Sequence, residues 1–504
     1  MRTSLVTLAS GGGDELGFSL AQQVLVIALC ALTALISHLA LAVFNDGVRP
    51  FLLDFVQGRS TRNATTAVAF GLSAGFVFGL GAPMALSTGV LNPWLLFLPT
   101  DVLGLLAPRR WLAPLLGGAW GAVVVFGLKG ANDLAGDLPV DFLTAMREMS
   151  TPILFLFTLF PVLAIARQFG RSRGGVAGVV ELALVVLTMK LWPDMFAGAL
   201  AMAVGVLLLI GFAVARDLGR RRAERLAATS ADGGGGGAGA AGAAGISGAG
   251  GEGGERDVVG RAPSGGVAGG AAAGSGGGSV GGGLGSGGVG EDPAASLFGA
   301  SAARLRRHLP LFMLLGAGVC VLAQAHVFGG GEATSFLIAD GDHTGAAQVD
   351  FYRVFGFVPL IATTALASGA YAIAGFTLVY PIGYLLPSPW LALLAGALVF
   401  AVEVLALSYV GRLLGRLPSV RESSEYLRGA ISESLGLAIL FGSLMAAHTM
   451  GGGLGILLVG GLYLLNEAMG RVVVRMAAAP AAVLVGGVLL NLLYALDLFT
   501  PVAG

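Results

Sequence analysis

The chain has 504 residues and a formal net charge of +0; 55% of its residues are hydrophobic and 12% charged. A soluble protein of this length carries roughly a quarter of its residues as charges to cover its surface, so much of this surface faces something other than water. The neutral balance leaves no basic field for nucleic acid. Apolar runs of about 20 residues, without the alternation of barrel strands, point to helices that cross lipid.

In chain order the runs predict spans at 18–44, 66–88, 93–107, 111–129, 151–166, 174–191 and 196–215. After a long polar interruption they resume at 309–328, 354–368, 370–386, 389–411, 433–449, 453–470 and 481–499. The first run is too long for a signal peptide and reads as a retained span. The run 93–107 is short and holds Pro99 and Asp101, which predicts a broken or re-entrant helix; whether 354–386 makes one crossing or two stays open, with loop charge favouring two. Arg49, Arg59 and Arg62, then Arg109 and Arg110, then Arg167, Arg171 and Arg173, then Arg216 to Arg225, occupy alternate loops. Those loops belong in the cytoplasm. The acidic loops 130–150 and 329–352, the latter with Glu332, Asp340, Asp342 and Asp350, belong outside.

The expected fold is all-α, a polytopic transmembrane bundle of about 12–14 spans in two halves. The halves, 1–228 and 294–504, enter from opposite sides, as inverted repeats with broken helices do in secondary transporters. The sequence hint of a repeat is that Pro93-Trp94-Leu95 and Pro389-Trp390-Leu391 each open an apolar run. Between the halves, residues 229–293 are roughly half glycine with no apolar face, a composition that cannot offset backbone ordering. They read as a flexible cytoplasmic linker with an end-to-end distance of roughly 45 Å.

Polar groups inside apolar runs carry the candidate chemistry, because a charge at the bilayer centre costs about 3 kcal/mol on insertion scales and so faces a cavity or partner. Asn92, Thr100 and Asp101 surround Pro99, whose ring removes a helical hydrogen bond. Thr363, Thr364 and Ser368 follow Pro359 in a second hydroxyl-rich stretch. Glu403 stands alone mid-span, with Glu181 its nearest counterpart in the first half; Lys190 is near enough to a span end to snorkel. These residues are candidates for binding solute or ion. Asn45, Asp46 and Arg49, with Asn466, Glu467 and Arg471, place an amide, an acid and an arginine at two cytoplasmic helix ends. They either gate an inner mouth or merely close loops.

Other chemistry finds little support. Gly71-Leu-Ser73-Ala-Gly75 matches a hydrolase elbow, but on a helical pattern, and Gly71, Gly75 and Gly79 make a smooth packing face. There is no phosphate-binding loop and no metal-ligand motif. The 2 cysteines, Cys30 and Cys320, read as small packing residues. No catalytic residue, metal or cofactor is expected, and the chain is not expected to be an enzyme.

The chain resembles the YhfT family of bacterial inner-membrane proteins. The resemblance is carried by Phe44-Asn-Asp-Gly-Val-Arg-Pro50, Ala69-Phe-Gly-Leu-Ser-Ala-Gly-Phe-Val77, Leu91-Asn-Pro-Trp-Leu-Leu-Phe-Leu-Pro-Thr-Asp101, residues 355–367, Pro418-Ser-Val-Arg421, Leu465-Asn-Glu467 and Gly470-Arg471. It covers nearly the whole chain outside the linker, an insert the family usually lacks; Val472 stands where a proline is usual. What it implies is a transporter without a defined substrate, so no functional residue carries over. The expected partners are the lipid bilayer, a small polar solute and a coupling ion, H+ or Na+, with oligomeric state open. The other class considered is a non-transporting scaffold or subunit that recruits a soluble enzyme.

Overall fold

The computed structural model describes residues 17–44, 70, 73–74, 76–192, 197–232, 293–351, 354, 365, 371–372, 378–473 and 475–500. In chain order the elements are α1 (Leu20–His38), β1 (Ala42–Val43), a π turn (Val77–Gly81) running into α2 (Ala82–Thr88), α3 (Pro93–Leu106), α4 (Leu112–Gly136), α5 (Phe142–Arg147), α6 (Ser150–Phe157), α7 (Phe160–Phe169), α8 (Arg171–Leu191) and α9 (Ala197–Asp232). The second half adds α10 (Pro293–Arg307), α11 (Leu309–Gln324), α12 (Glu332–Ala339), β2 (Tyr371–Ala372), α13 (Val379–Leu385), α14 (Pro389–Arg416), α15 (Pro418–Ala468) and α16 (Arg475–Ala495). Met1–Val214 and Gly287–Gly504 make one compact unit, the helical bundle; Ala215–Ser286 is a separate one.

Among the described residues 7 helices are long and apolar enough to cross a membrane, or 8 if Ala300–Arg307 and Leu309–Gln324, bent by 66°, form one span. Their outer faces expose Val176, Val179 and Leu182 on α8 and Trp390, Leu394 and Leu398 on α14. In water such a surface would aggregate; against acyl chains it is solvated. The fold is an all-α polytopic bundle, as the composition predicts.

Local chemistry sets where helices break. The predicted span 151–166 is two helices, α6 and α7: Pro161 has no N–H to continue the ladder, and Thr158 turns its hydroxyl back onto the Phe155 carbonyl at 2.7 Å. α15 leaves helical geometry at Gly451 and Gly452, between the runs 433–449 and 453–470. The predicted break at Pro99 does not occur, and α3 is continuous. Pro99 leaves the Leu95 carbonyl without its helical donor, and Trp120 of α4 supplies one through Nε1 at 2.9 Å.

Two three-helix units repeat. α1 and α11 both end in a left-handed residue that is not glycine, Ala40 (φ 53) and His326 (φ 56). Both close with the same paired bonds: Ala40 N–H to Ser37 and Leu41 N–H to Ile36, against His326 N–H to Ala323 and Val327 N–H to Leu322. A side chain at Gly104 of α3 would strike Ala34, Ser37 and His38; one at Gly383 of α13 would strike Cys320, Ala323 and Gln324. Gly117 of α4 fits against Cys30 and Ala34, and Gly396 of α14 against Gly316 and Cys320. Each contact maps onto its counterpart, so α1–α3–α4 and α11–α13–α14 are equivalent. The true sequence echo is therefore Trp111-Leu112-Ala113 with Trp390-Leu391-Ala392; the pairing of Pro93-Trp94-Leu95 with Pro389-Trp390-Leu391 is corrected.

The units run in opposite senses. α1 meets α11 where Leu29 touches Gly318. Beyond the C-terminal end of α1, Arg304, just before α11 begins, donates to the Leu39 and Ala40 carbonyls. At the other end, Arg147, the last residue of α5 and beyond α4, pairs with Asp340, at the end of α12 and beyond α11, at 3.2 Å. α4 runs against α1, since Gly121 sits near Val26 and Ile27 while Gly117 sits near Ala34. One end of the bundle thus gathers the finish of α1 and the start of α11.

Candidate functional site at the helix crossover

Each unit lends an extended segment to the other. β1, which follows α1, pairs in parallel with β2, which precedes α13, through Ala42–Tyr371 and Val43–Ala372. Reciprocally, Leu91, just before α3, bonds the segment after α11: Leu91 N–H to Val327 and Gly329 N–H to the Leu91 carbonyl, each 2.9 Å. Ala42, Leu91 and Phe328 are buried. Non-helical backbone survives at such depth only when protein satisfies it, and here the other repeat does so. Aromatic rings fill the crossing, Phe44 to Phe97 at 4.7 Å, Phe97 to Phe328 at 5.5 Å and Phe328 to Tyr380 at 5.6 Å.

Asp101 lies beside this crossing, buried. Its carboxylate accepts from Ser37 Oγ at 2.6 Å and from the Phe44 N–H at 2.7 Å. The equivalent of Phe44 in the second unit is Gly330, whose N–H goes to Tyr384 Oη at 2.7 Å; that hydroxyl donates to Asp350 at 2.8 Å. Asp350, one of the acids of the 329–352 segment, is fully buried. Sequence reasoning missed Tyr384 and Asp350; the available signal was a tyrosine pair, Tyr380 and Tyr384, one turn apart on an apolar helix, because buried phenols need partners.

The other predicted residues divide. Asn92 caps α3, accepting from Leu95 N–H at 3.0 Å and donating to the Gly81 carbonyl at 2.8 Å. Thr100 bonds the Phe97 carbonyl of its own helix at 2.7 Å. Both support the site structurally. Glu403 is half-buried on α14 and accepts from Leu378 N–H at 3.4 Å, at the N-terminal end of α13. The dipole of that short helix favours a negative charge there. Asn466 closes the turn after α15 through two 2.9 Å bonds with Val473, and Glu467 pairs with Arg471 at 2.8 Å and Arg475 at 3.1 Å. Those contacts join α15 to α16 locally. Thr363, Thr364, Ser368, Asn45, Asp46 and Arg49 lie outside the described residues.

Beyond the end of α11, His326 and His343 stack at 3.6 Å, and His326 Nε2 meets the Tyr384 carbonyl at 3.1 Å. Burial, and then the charge of His326, hold the His343 imidazole below its ordinary pKa, against an opposing pull from Asp342. Among the described residues no three His, Cys, Asp or Glu side chains gather as a metal site. Cys30 and Cys320 are free and buried at the glycine contacts of the two units.

Apolar spanning helices and a protein-enclosed crossing of extended backbone define a polytopic integral membrane protein. The chain belongs to the YhfT family, described as a protein of unknown function, whose profile matches residues 22–499. It is 36% identical over 492 residues to the uncharacterized protein YhfT of Escherichia coli (strain K12), covering 95% of this chain and 99% of that relative. No solved structure matches.

Proposed function

We propose that the protein is a secondary transporter that carries a small polar metabolite across the bacterial inner membrane, coupled to H+ or Na+. The observation that carries this reading is the pair of oppositely directed three-helix units whose extended segments cross at a buried, acid-bearing centre. Transporters of inverted-repeat design bind substrate where discontinuous helices meet, and they alternate access by rocking one bundle against another. Asp101, Asp350 and Glu403 are the acids placed to act there, with Tyr384 relaying to Asp350. Thr363, Thr364 and Ser368 belong to the same second unit by sequence. The basic loops put the finish of α1, the start of α11 and the 229–293 linker in the cytoplasm. Arg304 capping α1 supports that assignment, since both ends must then share a side. In this reading the chain catalyses no covalent reaction.

The test is uptake by proteoliposomes of polar metabolites, with and without a proton or sodium gradient, beside Asp101→Asn and Glu403→Gln. Gradient-driven uptake lost in either variant supports coupling through that acid. Uptake unchanged in both removes these acids from the mechanism. No uptake by folded protein favours the scaffold reading.

A further inference from the structure

Glu181 sits at the middle of α8, 1% exposed. Neither carboxyl oxygen has a hydrogen-bond partner among the described residues. The group lies against Gly205 of α9, where an added side chain would overlap Oε1 and strike Pro161 of α7. Gly205 therefore leaves the space that the carboxyl fills. Thr188, two turns along α8, is likewise buried with its hydroxyl unpartnered. The opposite face of α8 is exposed and aliphatic.

Among the described residues, the charges on α7, α8 and α9 lie away from the group. On α8, Arg171 and Arg173 are about 12 Å or more away along the helix, and Lys190 about 13 Å. Arg173 is turned over the Phe169 and Phe212 rings. On α7, Arg167 is engaged with Glu433. α9 carries no titratable side chain from Ala197 to Val214. A bare carboxylate in this setting would be strongly disfavoured. A metal cation needs several oxygen ligands, which the described residues around Glu181 do not offer; a proton needs one.

We propose that Glu181 is a proton-binding site, protonated in the conformation described and releasing its proton to water when α7, α8 and α9 rearrange. This deepens the transport reading by selecting H+ as the coupling ion, yet its test stands apart from transport. Full-length protein in liposomes is treated with dicyclohexylcarbodiimide, which adds to protonated carboxyls in apolar surroundings, and adducts are mapped by peptide mass spectrometry from pH 6 to pH 10. The expected result is an adduct on Glu181 whose rate falls at least ten-fold over that range. It should be absent in Glu181→Gln and retained, more slowly formed, in Glu181→Asp. Absence of the adduct at every pH overturns the proposal, as does a rate that ignores pH. If uptake is found, Glu181→Gln should lose proton-driven accumulation and keep downhill exchange; the labelling result decides the proposal even if no solute is ever transported.

Discussion

The two repeats solve one backbone problem with different chemistry. In the first, the N–H of Phe44 ends directly on the Asp101 carboxylate; in the second, the N–H of Gly330 ends on Tyr384, with Asp350 behind it. What the units share is the geometry that leaves this N–H at the crossing and the glycines that let helices touch. The polar partner differs in kind and sits one turn further along its helix. A buried donor has to be met, but the fold leaves open which side chain meets it. That freedom lets the two oppositely directed units hold unequal acids.

The comparison breaks most severely at the shared glycines. Gly117→Leu should wedge α4 from α1, and Gly396→Leu α14 from α11, so each should abolish monodisperse elution in fluorescence-detected size exclusion. A lone loss would show that one interface is dispensable. Next is Asp101→Ala, which strips a buried hydroxyl and a buried N–H of their shared acceptor; a loss of about 3 kcal/mol is expected from chemical unfolding. Tyr384→Phe should cost less, about 1–2 kcal/mol, because it removes one neutral hydroxyl and leaves the acid in place. If Tyr384→Phe cost more, the second unit would depend on the relay rather than the acid.

A finer contrast concerns Pro99. Trp120→Phe should cost about 1 kcal/mol by orphaning the Leu95 carbonyl. In a Pro99→Ala background the restored helical N–H should erase most of that cost, a coupling readable in a double-mutant cycle. The smallest effect is acid sensitivity at the histidine stack. His343 is held below its ordinary pKa, so the folded state binds protons less readily than the unfolded one. Its contribution to stability is present above about pH 6.5 and declines as pH falls through that value. The thermal midpoint should drop slightly from pH 8 to pH 5, and His343→Gln should flatten that slope.

Much of this was legible in residues alone. Apolar composition gave the all-α polytopic class, but not the span count: about 12–14 were expected, against 7 or 8 long apolar helices among the described residues; the consecutive glycines at 451–453 marked the break in α15, because only glycine readily adopts the φ of +55 found at Gly452. Glu181 was visible as the first-half counterpart of Glu403. Three things were hidden for physical reasons. The carbonyl freed by Pro99 is filled from another helix, so local sequence suggested a break that Trp120 prevents. Asp350 lies among acids with a loop's composition, yet its helical turn folds beneath Tyr384. The repeat was sought through proline-tryptophan pairs, whereas its signature is the spacing of glycines that contact α1 and α11.

The exchange of extended segments has a consequence for biogenesis. Leu91 finds its partner in Val327 and Gly329, and Ala42 finds its partner in Tyr371, so neither half can complete its own interior while alone. During synthesis the first half must wait in the bilayer with these main-chain groups unmatched until the second emerges from the ribosome. Maturation is thus closer to the assembly of two subunits than to sequential helix insertion. Separately expressed halves should be degraded alone and rescued together.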